Sequence, residues 1–221
     1  MIYCLWTNLI QFIDGHPLKI KTDNYGEQRL ITAISFSYSD DSMNYRGLKL
    51  MNHFLNFDNL IRIDLPICNS NKPDGETPKE VHELDNKIRK SDTLVFAIPE
   101  YSGHYSVGFK NFMDWLVVKS NYNADLGQDY CISDKSIYVI TFTPSKPGSG
   151  DRHFTMTKEL IEKLGGKVKK MFVKNLCWEN LLPTNYSFIE KECKQIMRKT
   201  MKNEVGGWIN KFNDWDDKWK N

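Results

Sequence analysis

The sequence has no long apolar run and no paired cysteines, and both absences limit what kind of protein it is. No stretch approaches the roughly 18 consecutive apolar residues of a transmembrane helix, and 26% of the residues are charged. The five cysteines are scattered and never form a C-x-x-C pair, which disfavours a disulfide framework and a zinc ribbon. This cysteine usage is typical of a reducing compartment and predicts a cytoplasmic protein without a membrane partner.

An excess of charge of one sign is also absent. The chain has 30 lysines and arginines against 28 aspartates and glutamates, a formal net charge of +2. Such a balance gives no strong phosphate-seeking field, so a nucleic-acid partner is not expected. The 13% of aromatic residues exclude disorder of the whole chain, and 221 residues suffice for a domain with its own core.

Several motifs of catalytic sites are absent or incomplete. No G-x-G-x-x-G follows the first predicted strand, which disfavours a Rossmann dinucleotide site. His82-Glu83 lacks the second histidine of H-E-x-x-H, and the segment from Gly103 to Gly108 has one residue too many for a G-x-S-x-G nucleophile elbow. We therefore nominate no catalytic nucleophile, acid or base, and no metal ligand.

Apolar runs alternate with helical periodicity between residues 29 and 175, which predicts one α/β domain. Three runs are almost continuously apolar and predict central strands of a parallel sheet: 30–36, 93–98 and 136–142. Two runs alternate or carry charge and predict edge strands: 60–65 and 168–173. Because the edges come second and fifth along the chain, the predicted strand order is 2-1-3-4-5.

Four helices are predicted between these strands. The first runs from Ser42 to about Phe54, and the second begins at Thr77-Pro78-Lys79-Glu80, a capping box with proline at the first helical position. The third begins at Ser106. The fourth lies near Arg152 to Leu164 and ends at Gly165-Gly166.

The two ends of the chain differ from this domain. Residues 1–28 show no clear periodicity and are interpreted as an N-terminal extension. Residues 176–221 are predicted to form a C-terminal helical extension. Within it, Trp208, Phe212, Trp215 and Trp219 share one helical face. Two readings stay open for this face: docking on the protein's own core, or docking on a second protomer or near a ligand pocket.

In a sheet of this order, ligands bind beyond the carboxyl ends of the strands, between the first and third strands. The loops there are 37–42, 99–106 and 143–150. The first runs into a helix, whose N-terminal N–H groups form an anion site. The residues expected to hold a phosphate there are Ser37, Ser39, Ser42 and Asn44. Simple capping of the helix by Ser42 is the alternative.

The second loop carries the most specific pattern, Pro99-Glu-Tyr-Ser-Gly-His-Tyr-Ser-Val-Gly-Phe-Lys-Asn-Phe-Met-Asp-Trp115. It resembles the P-E-Y-N-G-S-I-P-G-x-L-K-N-x-I-D-W pattern of the NADPH-dependent FMN reductases, a family of the flavodoxin-like superfamily. The matching positions are Pro99, Glu100, Tyr101, Gly103, Gly108, Lys110, Asn111, Asp114 and Trp115, with Ser102 in place of asparagine. The resemblance covers roughly residues 29–175.

The resemblance implies a flavodoxin-like three-layer sandwich that binds FMN and uses NAD(P)H as co-substrate. In the family, backbone groups of the Pro-Glu-Tyr loop meet the polar edge of the isoalloxazine ring, and a small-residue loop lies beside it. By position, the cofactor-binding set comprises Ser37, Ser39, Ser42, Met43, Asn44, Pro99, Glu100, Tyr101, Ser102, Gly103, Thr143, Pro144, Ser145 and Gly148. The resemblance also implies a homodimer or homotetramer in which the partner helps to close the flavin site.

The first loop departs from the family pattern G-S-x-R-x-x-S-x-N. Phe36 replaces the glycine and Ser39 the arginine, whereas Ser37, Ser42 and Asn44 match. Asp40 and Asp41 add two negative charges next to the predicted phosphate, which Arg46 one turn into the helix can offset. The departures leave open a different flavin-binding mode or a chain that has lost the cofactor.

The leading interpretation is an NAD(P)H-dependent FMN oxidoreductase that passes electrons to a flavin, quinone or similar small acceptor. The first alternative is a non-enzymatic electron carrier or redox-responsive binding protein, although carriers of this fold are usually strongly acidic. The second is a receiver-type signalling domain, which has the same strand order and which Asp40, Asp41 and Lys174 superficially fit. A receiver requires a phosphoacceptor aspartate after the third strand, where this chain has Ile98-Pro99-Glu100.

Overall fold

The computed structural model describes residues 30–69, 77–122 and 129–175 of the chain. Five of its strands form one parallel sheet: β1 (Ile31–Ser35), β2 (Asn59–Arg62), β3 (Thr93–Ala97), β6 (Ser136–Phe142) and β7 (Lys167–Lys174). Their spatial order is β2-β1-β3-β6-β7, which confirms the predicted order. The short strands β4 (Glu100–Tyr101) and β5 (His104–Tyr105) pair antiparallel in a separate hairpin. The predicted N-terminal extension and C-terminal helices lie outside the described residues.

Burial along the strands explains why the sequence pattern of each strand predicts their order. Every residue of β3 is buried, and in β1 and β6 only the first residue is partly exposed. The edge strands β2 and β7 are mostly half-exposed, as their charged and alternating sequences predict. Strand β2 is shorter than the predicted 60–65, because backbone pairing with β1 ends where Ile63 N–H donates to Ser35 O at 2.9 Å.

Within the described ranges, four helices cover the sheet: α1 (Met43–Leu55), α2 (Lys79–Arg89), α3 (Val107–Tyr122) and α4 (Phe154–Lys163). Helix α1 shares one hydrophobic cluster with one face of the sheet, where Leu48 and Met51 are buried. Helices α2, α3 and α4 share a second cluster with the opposite face. Among the described residues, the chain therefore builds the three layers of the flavodoxin-like fold. In this part of the chain no helix is long and apolar enough to cross a bilayer.

The predicted capping box at the start of α2 is wrong. Pro78 has an extended ψ of 147°, so it is the cap residue rather than the first helical residue, and no side chain caps this helix. The Pro78 carbonyl accepts from the N–H groups of Val81 and His82 at 3.0 and 3.2 Å. Thr77 consequently lies one residue too early for its hydroxyl to act as the cap.

The predicted glycine stop of α4 is confirmed. Gly165 has a φ of +80°, a left-handed conformation that glycine adopts without strain. The N–H groups of Gly165 and Gly166 donate to Glu162 O and Ile161 O, each at 3.0 Å. These two bonds form a Schellman motif that satisfies the last carbonyls of the helix and turns the chain into β7.

We predict that Gly47→Ala destabilises the protein, because a Cβ at this position of α1 overlaps the ring of buried Phe142 at the end of β6. Overpacking of this kind costs about 1–3 kcal/mol, against the up to about 1 kcal/mol by which alanine favours a helix. Urea denaturation should show a lower free energy of unfolding.

The control is the same substitution in a Phe142→Leu background, where the smaller side chain makes room. Alanine should cost less there, and a double-mutant cycle measures the difference. An equal cost in both backgrounds contradicts the predicted contact.

Candidate functional site

Three loops meet at one edge of the sheet, beyond the carboxyl ends of β1, β3 and β6. Phe36 N–H donates to Ala97 O at 2.9 Å, which keeps β1 and β3 paired up to the first loop. The Ser106 hydroxyl donates to Phe36 O at 2.6 Å and accepts from Phe109 N–H at 3.3 Å, so it both caps α3 and ties it to the first loop. The loops that follow these adjacent parallel strands therefore lie together at the edge where a sheet of this order has its ligand crevice.

In the first loop, Ser42 is the N-cap of α1, and its hydroxyl accepts from Tyr45 N–H at 3.4 Å. Ser37 and Asn44 are buried, whereas Ser39 is exposed. The Asn44 side chain donates to Phe142 O at 3.2 Å and accepts from Phe142 N–H at 3.0 Å. Asn44 thus fixes the start of α1 to the end of β6, and its role toward a phosphate stays a prediction.

The two aspartates of the first loop are turned into solvent and held by arginines. Asp40 forms an ion pair with Arg62 of β2, and Asp41 lies 3.7 Å from Arg46 of α1. Their side chains are 92% and 85% exposed, so water and the arginines screen their charge. No acidic side chain lies in the first turn of α1, which leaves the positive end of the helix dipole unopposed there.

The second loop is a hairpin whose turn consists of Ser102 and Gly103. Their φ angles are +53° and +81°, the pair of positive values that a type I′ turn requires. Asn-Gly is the preferred sequence for this turn, so Ser102 occupies the position where the family pattern has asparagine. The Glu100 carboxylate accepts from Arg152 N–H at 3.0 Å, which joins this hairpin to the segment before α4.

The third loop is mostly exposed and is held by Asn175, the residue that follows β7. Asn175 Nδ2 donates to Lys146 O at 3.0 Å and to Ser149 O at 2.9 Å. Gly148 has a φ of +90°, and a Cβ there would meet nothing within 4 Å. Thr143, Pro144 and Ser145 precede it on the same loop, where Pro144 and Ser145 are exposed.

His153, the residue directly before α4, is turned into the protein interior. Its imidazole is fully buried, with Nε2 at 3.0 Å from Thr141 Oγ1 and Nδ1 at 2.8 Å from Thr157 Oγ1. Burial lowers the pKa of His153 to about 4, although the charge of Asp151 acts in the opposite direction. His153 is therefore neutral at pH 7, whereas His104 is exposed in β5.

Sequence reasoning missed how the Lys-Asn-x-x-Asp-Trp part of the motif works. Asn111 Nδ2 donates to Pro66 O and to the Tyr38 hydroxyl, each at 2.9 Å, and Trp115 Nε1 donates to Pro66 O at 2.8 Å. The Tyr38 hydroxyl in turn donates to Leu65 O at 3.0 Å. These bonds clamp the segment after β2 against α3 and the first loop. The motif match signals the positions, but only the fold reveals that their partners are carbonyls distant in sequence.

We predict that His153 makes the protein sensitive to acid. The folded-state pKa is below the unfolded value of about 6.5, so the unfolded chain binds the extra proton between pH 6.5 and about 4. Stability therefore falls as the pH is lowered through this window, by about 3 kcal/mol in total. Chemical denaturation at pH 7 and at pH 4.5 measures the loss.

His153→Gln is the matched control, since glutamine keeps a hydrogen-bond donor but does not titrate. The variant should lose less stability than the wild type over the same interval. An identical loss in both proteins rules out His153 as the source.

Comparison with known proteins agrees with this geometry. The fold is similar to that of the flavoenzyme NAD(P)H:(acceptor) oxidoreductase FerB from Paracoccus denitrificans, with a TM-score of 0.60 at 18% identity over 80% of this chain and 100% of that one. It is also similar to an apo NADH:FMN oxidoreductase, with a TM-score of 0.55 at 16% identity over 81% and 91% of the two chains. At these identities the likeness concerns the fold.

A local sequence match and a family model extend the comparison. A stretch of 55 residues is 34% identical to NADH-dependent flavin reductase subunit 2 of Lactobacillus johnsonii, covering 25% of this chain and 30% of that relative. The match thus spans less than a third of the relative's length. The model of the NADPH-dependent FMN reductases matches residues 31–179, about two thirds of the chain. The protein belongs to the NADPH-dependent FMN reductase family.

Proposed function

We propose that this protein is an NAD(P)H-dependent oxidoreductase that binds FMN in its domain of residues 29–175. In this proposal it passes electrons from a nicotinamide cofactor through the flavin to a flavin, quinone or similar small acceptor. The observation that carries the proposal is the start of α1, which is capped by Ser42 and free of acidic side chains in its first turn. The first loop, which leads into α1, is tied to the segment of the family motif by the bond from the Ser106 hydroxyl to Phe36 O.

A phosphate fits the first loop because the carboxylates of the two aspartates in this loop are turned away from the start of α1. Asp40 and Asp41 point into solvent and pair with Arg62 and Arg46. A dianion at the start of α1 would meet N–H groups and serine hydroxyls instead. Ser37, Ser39, Ser42, Met43 and Asn44 are the residues that would hold it.

A flat ring fits the other two loops. The Ser102–Gly103 turn brings main-chain groups to the surface at the end of β3, where Pro99, Glu100 and Tyr101 complete the predicted contact. Gly148 borders open space, and Thr143, Pro144 and Ser145 lie on the same loop. FMN, when bound, supplies the hydride-accepting chemistry. The chain's own residues bind and orient the reactants, and we propose no catalytic side chain.

The first test compares FMN with riboflavin, which lacks only the phosphate. We expect FMN to bind at least about tenfold more tightly, because charge-assisted bonds hold the phosphate. Ser37→Ala and Ser39→Ala should weaken FMN binding without changing riboflavin binding. Quenching of flavin fluorescence measures both affinities, and equal affinities for the two flavins would contradict the phosphate site.

Rapid mixing of the FMN-loaded protein with NADPH or NADH separates an enzyme from an electron carrier. An enzyme is expected to oxidise the nicotinamide cofactor rapidly and to turn over when a quinone is added. A protein that retains FMN but accepts no hydride supports the carrier alternative instead.

We further propose a homodimer or homotetramer in the cytoplasm. Ile67, Tyr101 and Val107 are large apolar residues that are 70%, 56% and 62% exposed, and all three follow carboxyl ends of strands near the crevice. Large apolar side chains that are exposed to this extent favour a subunit contact. The free thiols of Cys68 and Cys131 support a reducing compartment.

Val107→Asp is expected to weaken this contact, since it places a charge in an apolar interface. The same charge lies in the first turn of α3, where an acidic side chain is compatible with the helix. Sedimentation equilibrium should show a smaller assembly for Val107→Asp and little change for Val107→Ala. An unchanged mass for Val107→Asp excludes this surface as the interface.

A further inference from the structure

The backbone ladder between β3 and β6 stops next to the loop of the family motif. Ile98 N–H donates to Ile140 O at 2.9 Å, and the next bond of a parallel ladder would join Phe142 N–H to Ile98 O. Phe142 N–H donates instead to Asn44 Oδ1 at 3.0 Å. Ile98 O accepts from the Thr141 hydroxyl at 2.8 Å. Two side chains thus take the place of one rung.

Buried His153 completes this arrangement, and the single hydroxyl proton of Thr141 determines which atom donates in each bond. Thr141 has a single hydroxyl proton, which it donates to Ile98 O, so it accepts from His153 Nε2–H at 3.0 Å. In the neutral imidazole Nδ1 then accepts from the Thr157 hydroxyl at 2.8 Å. Thr141, His153 and Thr157 are all fully buried. The chain of bonds therefore leads from α4 to the last carbonyl before Pro99.

We propose that Thr141 and His153 are positioning residues. They end the backbone pairing of β3 with β6 and orient the Pro99–Gly103 loop toward the ligand crevice. This role rests on the proposed function, because that loop is the predicted site of the flavin ring. A bound Ile98 carbonyl fixes the peptide plane that leads into Pro99, and the proline ring fixes the next φ angle. The direction of the hairpin follows from these two constraints.

A purely apolar contact would fill the same space at less desolvation cost, since buried polar networks are costly unless every member is bonded. Here each polar side-chain atom of Thr141, His153 and Thr157 has its partner. The series of hydrogen bonds ends on the backbone that leads into the predicted flavin loop. The hydrogen bonds supply direction, which apolar packing does not.

The test uses Thr141→Val, which removes the hydroxyl at nearly constant shape, and Thr141→Ser, which keeps it. In the full-length protein without flavin, amide hydrogen exchange at Tyr101 and His104, the paired residues that flank the turn, should become about tenfold faster in the valine variant. The serine variant should exchange like the wild type. Unchanged exchange in the valine variant, or equal acceleration in both variants, would overturn the proposal.

If Thr141→Val fails to fold, Thr157→Val and Thr157→Ser give the same comparison one bond further from the loop. The valine variant should then accelerate exchange of the same amides while amides of β1 stay protected. The absence of a difference between Thr157→Val and Thr157→Ser would overturn the proposal.

Flavin binding provides the second readout. Thr141→Val should weaken FMN and riboflavin by the same factor, about tenfold, because the ring and not the phosphate loses its support. The single variants Thr141→Ser and His153→Gln should each keep most of the wild-type affinity for both flavins. Wild-type affinity in the valine variant would overturn the proposal. If the wild type binds neither flavin, the proposed function fails, and hydrogen exchange alone decides the role of Thr141 and His153.

Discussion

Parallel pairing of β1, β3 and β6 is the constraint on which the site depends. These strands run in the same direction, so the loops after their carboxyl ends open at one edge of the sheet. Two side chains then lock the loops to one another. Asn44 bonds both backbone groups of Phe142, and Ser106 bonds the carbonyl of Phe36. Without these bonds the polar loops would lie at the same edge of the sheet, but their positions relative to one another would not be fixed.

Charge at the first loop is arranged so that it does not oppose an anion. The aspartates sit on the solvent side and are balanced by arginines from β2 and α1. Exposed pairs of this kind contribute little to stability, so their effect lies in where they put the charge. The serine-rich start of α1 is left with hydroxyls and N–H groups, which suit a phosphate.

The strand order was predictable because burial leaves a pattern in each strand by itself. Continuous apolar runs predict β1, β3 and β6, and the lysines of β7 predict an edge. The start of α2 was predicted wrongly, because a Thr-Pro-x-Glu string fits two registers and only the ψ of Pro78 selects one. The family motif located the second loop, yet it gave no hint that Asn111 and Trp115 hold Pro66 O.

Periodicity within each segment and one contiguous motif suffice to predict the sheet, its strand order and the family, and these three are confirmed. The folded chain alone reveals the orientation of Asp40 and Asp41, the burial of His153 and the replacement of a backbone rung by Asn44 and Thr141. Those features depend on which groups from distant segments come within hydrogen-bond distance. No pattern within one segment records that distance.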